Sequence, residues 1–332
     1  MAAYRSQKTI SPKEAEFAIV PKEQAANIIF KSEDGGKTWQ DFSLGLPEKM
    51  QVRCVYSEGG EIFLGAEGGG LYHGSNPNMG LWEREEVGGI FSNFSGIFPS
   101  ERVIGIFPGH SGPYACISQG GFFRKIKGTS LWQPMHNSLE DNSVREVVEI
   151  PDGTIFVTCH NGIYKSEDDC KTWKHVFSKG WVSGLVTEGD VLVCSGADGL
   201  FRSADKGEHW AQVLSDKDVS YNTSVIQGRF AAVSLAASRR NSAIVNSLHT
   251  SADGGKTWQL MNDTQWPVQD IYELKQAGKY LFSSNKNGIS CSTDGGKNWE
   301  LVRPSTDTSK MVLLHLAVSG QTVFFVIMRE GC

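Results

Sequence analysis

Short β-rich runs of largely apolar residues, each cut by a polar turn signal, fill almost the whole chain. In VREVVEI-PDG-TIFVTCHN-G-IYKS, three β-rich runs are separated by a Pro-Asp-Gly turn and an Asn-Gly turn, and a tryptophan then opens a fourth run, WKHVF. The same order recurs in VSGLVTEGDVLVCSGADGLFRS and in QDIYELKQAGKYLFSSNKNGISCS. Each unit therefore predicts four antiparallel strands, A to D, and no stretch has the 3.6-residue apolar period of a helix. The last segment, MVLLHLAVSGQTVFFVIMREGC, supplies only A and B, whereas the first, IIFKS with WQDFS, supplies only C and D. Together the two ends complete one unit.

Between strands C and D lies the pattern Ser-x-Asp-x-Gly-x-Thr-Trp. Full copies run from Ser32 to Trp39 and from Ser251 to Trp258, with near-copies at Ser166 to Trp173, Ser203 to Trp210 and Ser292 to Trp299. Two further copies, ending at Trp82 and Trp132, keep strand C and the tryptophan but have lost the aspartate and the spacing. The seven tryptophans are 43, 50, 41, 37, 48 and 41 residues apart, the length of one four-stranded propeller blade. These boxes resemble the Asp-box, or bacterial neuraminidase repeat, of propellers such as sialidases, sortilin-type receptors, xyloglucanases and photosystem II assembly-factor-like proteins. The resemblance covers about residues 28 to 330. It implies an all-β, seven-bladed β-propeller whose ring is closed by N- and C-terminal strands. Residues 28–332 then form a single propeller and residues 1–27 an N-terminal extension, in which EFAIVP could add an edge strand.

The box itself reads as turn chemistry. Ser and Asp side chains bond local backbone groups, glycine permits positive φ, and tryptophan packs between blades. The Gly-Lys-Thr in two boxes imitates a phosphate-binding loop without its upstream glycine, and no GxSxG, HExxH or EF-hand pattern is present. No cofactor and no metal site is expected.

Composition narrows the partners. Lys and Arg number 32 against 37 Asp and Glu, a net charge of −5, which removes the basic surplus of a nucleic-acid binder. No run approaches the ~18 apolar residues of a membrane span, and the chain start lacks the apolar core of a signal peptide. The chain as it stands reads as cytoplasmic, with an exported protein lacking its leader as the alternative. Seven cysteines without CxxC pairs or His clusters read as small core residues. Oligomeric state is not legible.

Strand order places the D-to-A and B-to-C connections on one face, where relatives of this kind bind ligands. The B-to-C turns carry Glu67, Gln119, His160, Asp198, an insertion with Arg239 and Arg240, and Lys286. Arg53, Arg102 and Arg145 stand near the start of strand A in three successive blades; with Arg239 and Arg240 they make a candidate anion patch, the competing reading being pairing with neighbouring glutamates. Phe91 and Phe94 in the long 85–101 connection, with Trp181, Tyr221 and Trp266 in other D-to-A loops, are candidate apolar platforms. The resemblance allows two functional classes. A non-catalytic interaction module would present this face to a glycan, an anionic small molecule or a protein partner. A carbohydrate-active enzyme, a sialidase-type glycosidase or a polysaccharide lyase, would use the same face. Against the enzyme stand the missing Arg-Ile-Pro of sialidases and the single propeller where xyloglucanases have two. His160 with Tyr221 is the base and acid pair a lyase would use.

Overall fold

The computed structural model describes residues 27–48, 50–67, 70–74, 82–85, 102–129, 131–215, 219–237, 244–261, 271, 273–285, 287–305 and 313–328. They form seven four-stranded antiparallel sheets and no helix, arranged as a seven-bladed β-propeller. Blades 1 to 6 follow in chain order with their A strands at Val52–Glu58, Val103–Phe107, Glu146–Glu149, Val182–Glu188, Ser220–Ile226 and Glu273–Ala277.

Blade 7 is the composite one that the incomplete end units predict. Its inner strands are Leu313–Ser319 and Thr322–Met328, and its outer strands are Ile29–Ser32 and Gln40–Asp41. Ile29 pairs with Val326 and Ser32 with Val323 in one antiparallel register. The proposed strand at EFAIVP lies outside the described residues.

Among the described residues the apolar core falls into seven clusters, each spanning two neighbouring blades. Phe63, Leu71, Val103 and Phe123 join blades 1 and 2, for example, and Phe30, Phe282, Leu316 and Phe325 join blades 6 and 7. Alternation along each strand gives every sheet two apolar faces, and the neighbouring blades cover them. The inner strands begin with a register shift at Val52/Cys54, Val103/Gly105 and Val182/Gly184. Crowding selects small residues there: a Cβ on Gly184 would come within 2.8 Å of Thr223 Oγ1 in the next blade.

In all five intact boxes the serine hydroxyl donates to the aspartate and accepts from the backbone N–H four residues on. In the first, Ser32 Oγ lies 2.9 Å from Asp34 Oδ1, and Gly36 N lies 2.9 Å from Ser32 Oγ. The aspartate also takes the N–H and side chain of the residue before the tryptophan, as Asp253 does at 2.9 and 2.7 Å from Thr257. In the blade 3 box, Asp169 and Cys170 occupy the positive-φ positions (59° and 64°) that glycines fill at Gly35 and Gly36.

Box and blade edge are also tied across three successive gaps, from blade 2 to blade 5. Arg124 reaches Asp169 at 2.5 Å, Lys165 bonds Glu208, and Arg202 donates to the Gly254 carbonyl at 2.5 Å, each contact running from one strand C to the next blade's box. Arg124 and Arg202 are thus blade-edge residues, as their position beside the boxes suggests.

Two predictions follow from closure and from the boxes. Deleting residues 311–332 removes the partners of Ile29–Ser32 and exposes the flanking sheets; the product should unfold or aggregate, and a monomeric, cooperatively melting truncation would contradict ring closure. Hydrogen bonds from Thr38, Thr172 and Asn298 hold the carboxyls of Asp34, Asp168 and Asp294 at about 2 against an ordinary 3.8. Because the unfolded chain takes up these protons first, the stabilisation is complete above about pH 4 and is lost as pH falls through about 2. The melting temperature should drop steeply between those values, and a flat profile there would show the box carboxylates to be idle.

Candidate functional site

The face bearing the D-to-A and B-to-C connections carries an arginine cluster built from three adjacent blades. Arg53 and Arg102 both bond one carboxylate, Glu67: Arg53 Nε meets Oε2 and Arg102 Nη2 meets Oε1. Glu67 is held in place by its own N–H, which donates to the Gln51 carbonyl at 2.9 Å. Burial acts to raise the Glu67 carboxyl, but the two guanidinium bonds outweigh it and hold the group below its ordinary value. One carboxylate thus serves two guanidiniums, and the pair keeps a net positive charge. Arg102 is 44% exposed, while its Nε is buried without a hydrogen-bond partner.

Arg145 is the third member. Its side chain is exposed, and its guanidinium lies 5.3 Å above the Trp181 ring. Among the described residues no carboxylate pairs with it. Cation–π stacking fixes the planar group without neutralising it.

The other sequence candidates divide three ways. Trp181 is on the face, 37% exposed, as the footing of Arg145. Tyr221 is not: it is the second residue of the blade 5 A strand, fully buried beside Leu200 and Ala232 with its ring edge-on to His249. Its D-to-A placement from sequence is corrected by one step of strand alternation, which turns it into the core. His160 is exposed, its N–H bonded to Ser143 Oγ at 3.0 Å, but a buried Tyr221 offers it no partner hydroxyl at the surface. Gln119 and Asp198 are exposed turn residues. Phe91, Phe94, Arg239, Arg240, Trp266 and Lys286 lie outside the described residues.

Sequence reasoning passed over two features. The first is an axial cavity of ≈ 460 Å³, lined mainly by A-strand residues of blades 3 to 7, among them Glu146, Glu273, Lys275 and His315. Each glutamate caps an unpaired backbone donor on the next inner strand: Glu146 Oε2 accepts from Leu185 N at 2.8 Å, and Glu273 Oε2 from Leu316 N at 2.7 Å. These are edge groups that the sheet ladder cannot satisfy.

The second is a buried ionic cluster on the opposite side of blades 1 and 2, the two blades with decayed boxes. Lys125 stands at the box-serine place, the last residue of strand C, and is 8% exposed; its Nζ lies 2.7 Å from Glu85 Oε1. Glu85 also takes Trp132 Nε1 at 3.1 Å and faces His73 Nδ1 at 3.2 Å. Burial works against the Glu85 carboxylate, and these donors prevail and keep its carboxyl below the ordinary value. An ion pair thus replaces the Ser–Asp turn. The signal in sequence was a lysine where every intact box has serine.

Sheet order and box turns together define a seven-bladed Asp-box propeller. The chain belongs to the family described as photosynthesis system II assembly factor YCF48, whose profile matches residues 7–232. No curated protein matches the chain in sequence. Among solved structures, an ancestral GH74 enzyme superposes with a TM-score of 0.61 at 12% identity, over 91% of this chain and 45% of the enzyme. An extracellular domain assigned to a one component system of B. thetaiotaomicron gives 0.58 at 14% identity, over 80% of this chain and 36% of that one. The N-terminal domain of Nup159 gives 0.53 at 12% identity, over 92% and 97%. The chain spans under half the length of the first two, and identities this low speak for the fold alone.

The Lys125–Glu85 pair makes a stability prediction. Glu85→Gln leaves a buried ammonium without its counter-ion and should cost about 3–5 kcal/mol, whereas Glu85→Leu combined with Lys125→Met should recover most of that loss. Denaturant melts of the two variants test this; a single variant that melts like the parent would show the lysine escaping to solvent.

Proposed function

We propose that the protein is a non-catalytic binding propeller that presents its arginine face to a carboxylate- or phosphate-bearing segment of a protein partner. The observation that supports this most directly is the charge balance of the face: two guanidiniums share Glu67, and a third, Arg145, is braced on Trp181 with no carboxylate of the described residues within ion-pair distance. Guanidiniums held in place before binding lose little freedom on meeting an anion, and their planar forks favour bidentate acceptors. Partial neutralisation by Glu67 suits exchange: an incoming carboxylate competes with an internal one, which keeps the contact reversible. The family description names assembly, which fits a face that holds a partner without transforming it.

A glycan ligand draws less support. Trp181 is occupied by Arg145, so its ring is not a bare platform for a sugar. The enzymatic pair draws none from the geometry, because Tyr221 is buried.

Replacing Arg53 and Arg145 together by alanine should weaken binding of an acidic partner segment by at least tenfold and flatten its salt dependence, with the melting temperature within about 2 °C of the parent. Pull-down partners of the parent protein, retested against the double variant at two salt concentrations, give the measurement. Equal capture by both proteins would remove the arginine face from the binding reaction.

A further inference from the structure

The axial cavity holds a charge imbalance that the arginine face does not explain. Glu273 is compensated: Lys275 Nζ lies 3.3 Å from Oε1, while Leu316 N and His315 Nδ1 stand 2.7 and 3.7 Å from Oε2. Glu146 is not. It takes one backbone N–H, from Leu185, and among the described residues no Lys, Arg or His comes within ion-pair distance of its carboxylate. Its sequence neighbour Arg145 turns outward onto Trp181, as strand alternation requires, and Lys275 is committed to Glu273.

The cavity is partly polar and half-open to solvent. Ser183 and Ser224 line it with the charged groups, and Leu274, Leu314 and Val233 supply apolar surface. A volume of ≈ 460 Å³ falls in the range of small-molecule sites. No cluster of three or more His, Cys, Asp or Glu among the described residues is placed to hold a metal ion, and a lone carboxylate suits a singly charged organic cation.

We propose that the axial cavity binds a primary amine, its ammonium received by the Glu146 carboxylate. An ammonium donates to the carboxylate oxygen that Leu185 leaves free, and its charge cancels the one the ring leaves uncompensated. The site is separate from the arginine face and does not depend on the reading given to that face.

Titration behaviour supports the geometry. Burial pushes the Glu146 carboxyl up to about 7, outweighing the Leu185 N–H and the more distant charges of Lys275 and Arg145. The other titratable groups facing it, the thiols of Cys116 and Cys194, are buried and held well above their ordinary values, so they stay neutral. An ammonium needs the carboxylate form. Binding below pH 7 therefore expels a proton, and affinity rises with pH until the carboxyl is ionised.

Isothermal titration of the full chain with ethanolamine, and with ethylene glycol as the uncharged isostere, tests the site. Ethanolamine should bind one-to-one at pH 7.5, at least tenfold more tightly than ethylene glycol, and should lose about tenfold in affinity per pH unit between 6.5 and 5. Glu146→Gln should weaken it at least tenfold, while Arg53→Ala, two blades away, should bind it like the parent. Proton release from the unmodified protein at pH 6, read from the dependence of binding heat on buffer ionisation, reports on Glu146 even if the variant folds poorly. Absence of saturable ethanolamine binding, equal binding of the two isosteres, or binding without proton release would overturn the assignment.

Discussion

Every blade of this protein is a sheet with two apolar faces and no other layer to cover them. Stability therefore resides between blades, in the seven side-chain layers that each join one sheet to the next. An open row of blades would leave two such faces bare, and pairing Ile29–Ser32 with Thr322–Met328 removes both at once. Much of the remaining chemistry serves that requirement. Boxes fix the C-to-D turn so that it can lean on the preceding blade, as Gly36 does against Val302 and Phe282, and strand C cations fasten that lean from the other side.

Two devices thus do the same job in different blades. Five blades use a Ser–Asp turn on the surface, where its aspartate is acid-sensitive but well solvated. Blades 1 and 2 share a buried lysine, glutamate and histidine, with Lys125 5.4 Å over the Trp132 ring. The tryptophans follow suit. Trp82 and Trp132, which lack boxes, are 8% and 3% exposed, while the five box tryptophans remain half-buried. Where the local turn is lost, burial and an ion pair take over the junction, at the cost of depending on residues 40 and more positions apart.

That separation marks the limit of what the sequence discloses. Blade number, the composite blade and the box turns are periodic, so a single pattern shows them all, and Arg53, Arg102 and Arg145 stand out because they recur near one strand position. Glu85 with Lys125, and Glu146 with Leu185, are pairings between different repeats, and each residue alone looks like an ordinary surface charge. Tyr221 shows the complementary error. It lies one residue inside its strand rather than in the loop before it, and period-two alternation then decides between solvent and core.

The composite blade also has a bearing on how the molecule comes into being. Synthesis runs from Ile29 toward Met328, so the first strands made wait for the last ones before they have a sheet to join. Until then the blades form an open arc in which Ile29 to Ser32 lack their sheet partner, and the ring can snap shut only after Thr322–Met328 has left the ribosome. A nascent chain of this kind is most in need of a chaperone just before its closing strand emerges, and a stall before Thr322 would leave six blades made and the ring unclosed.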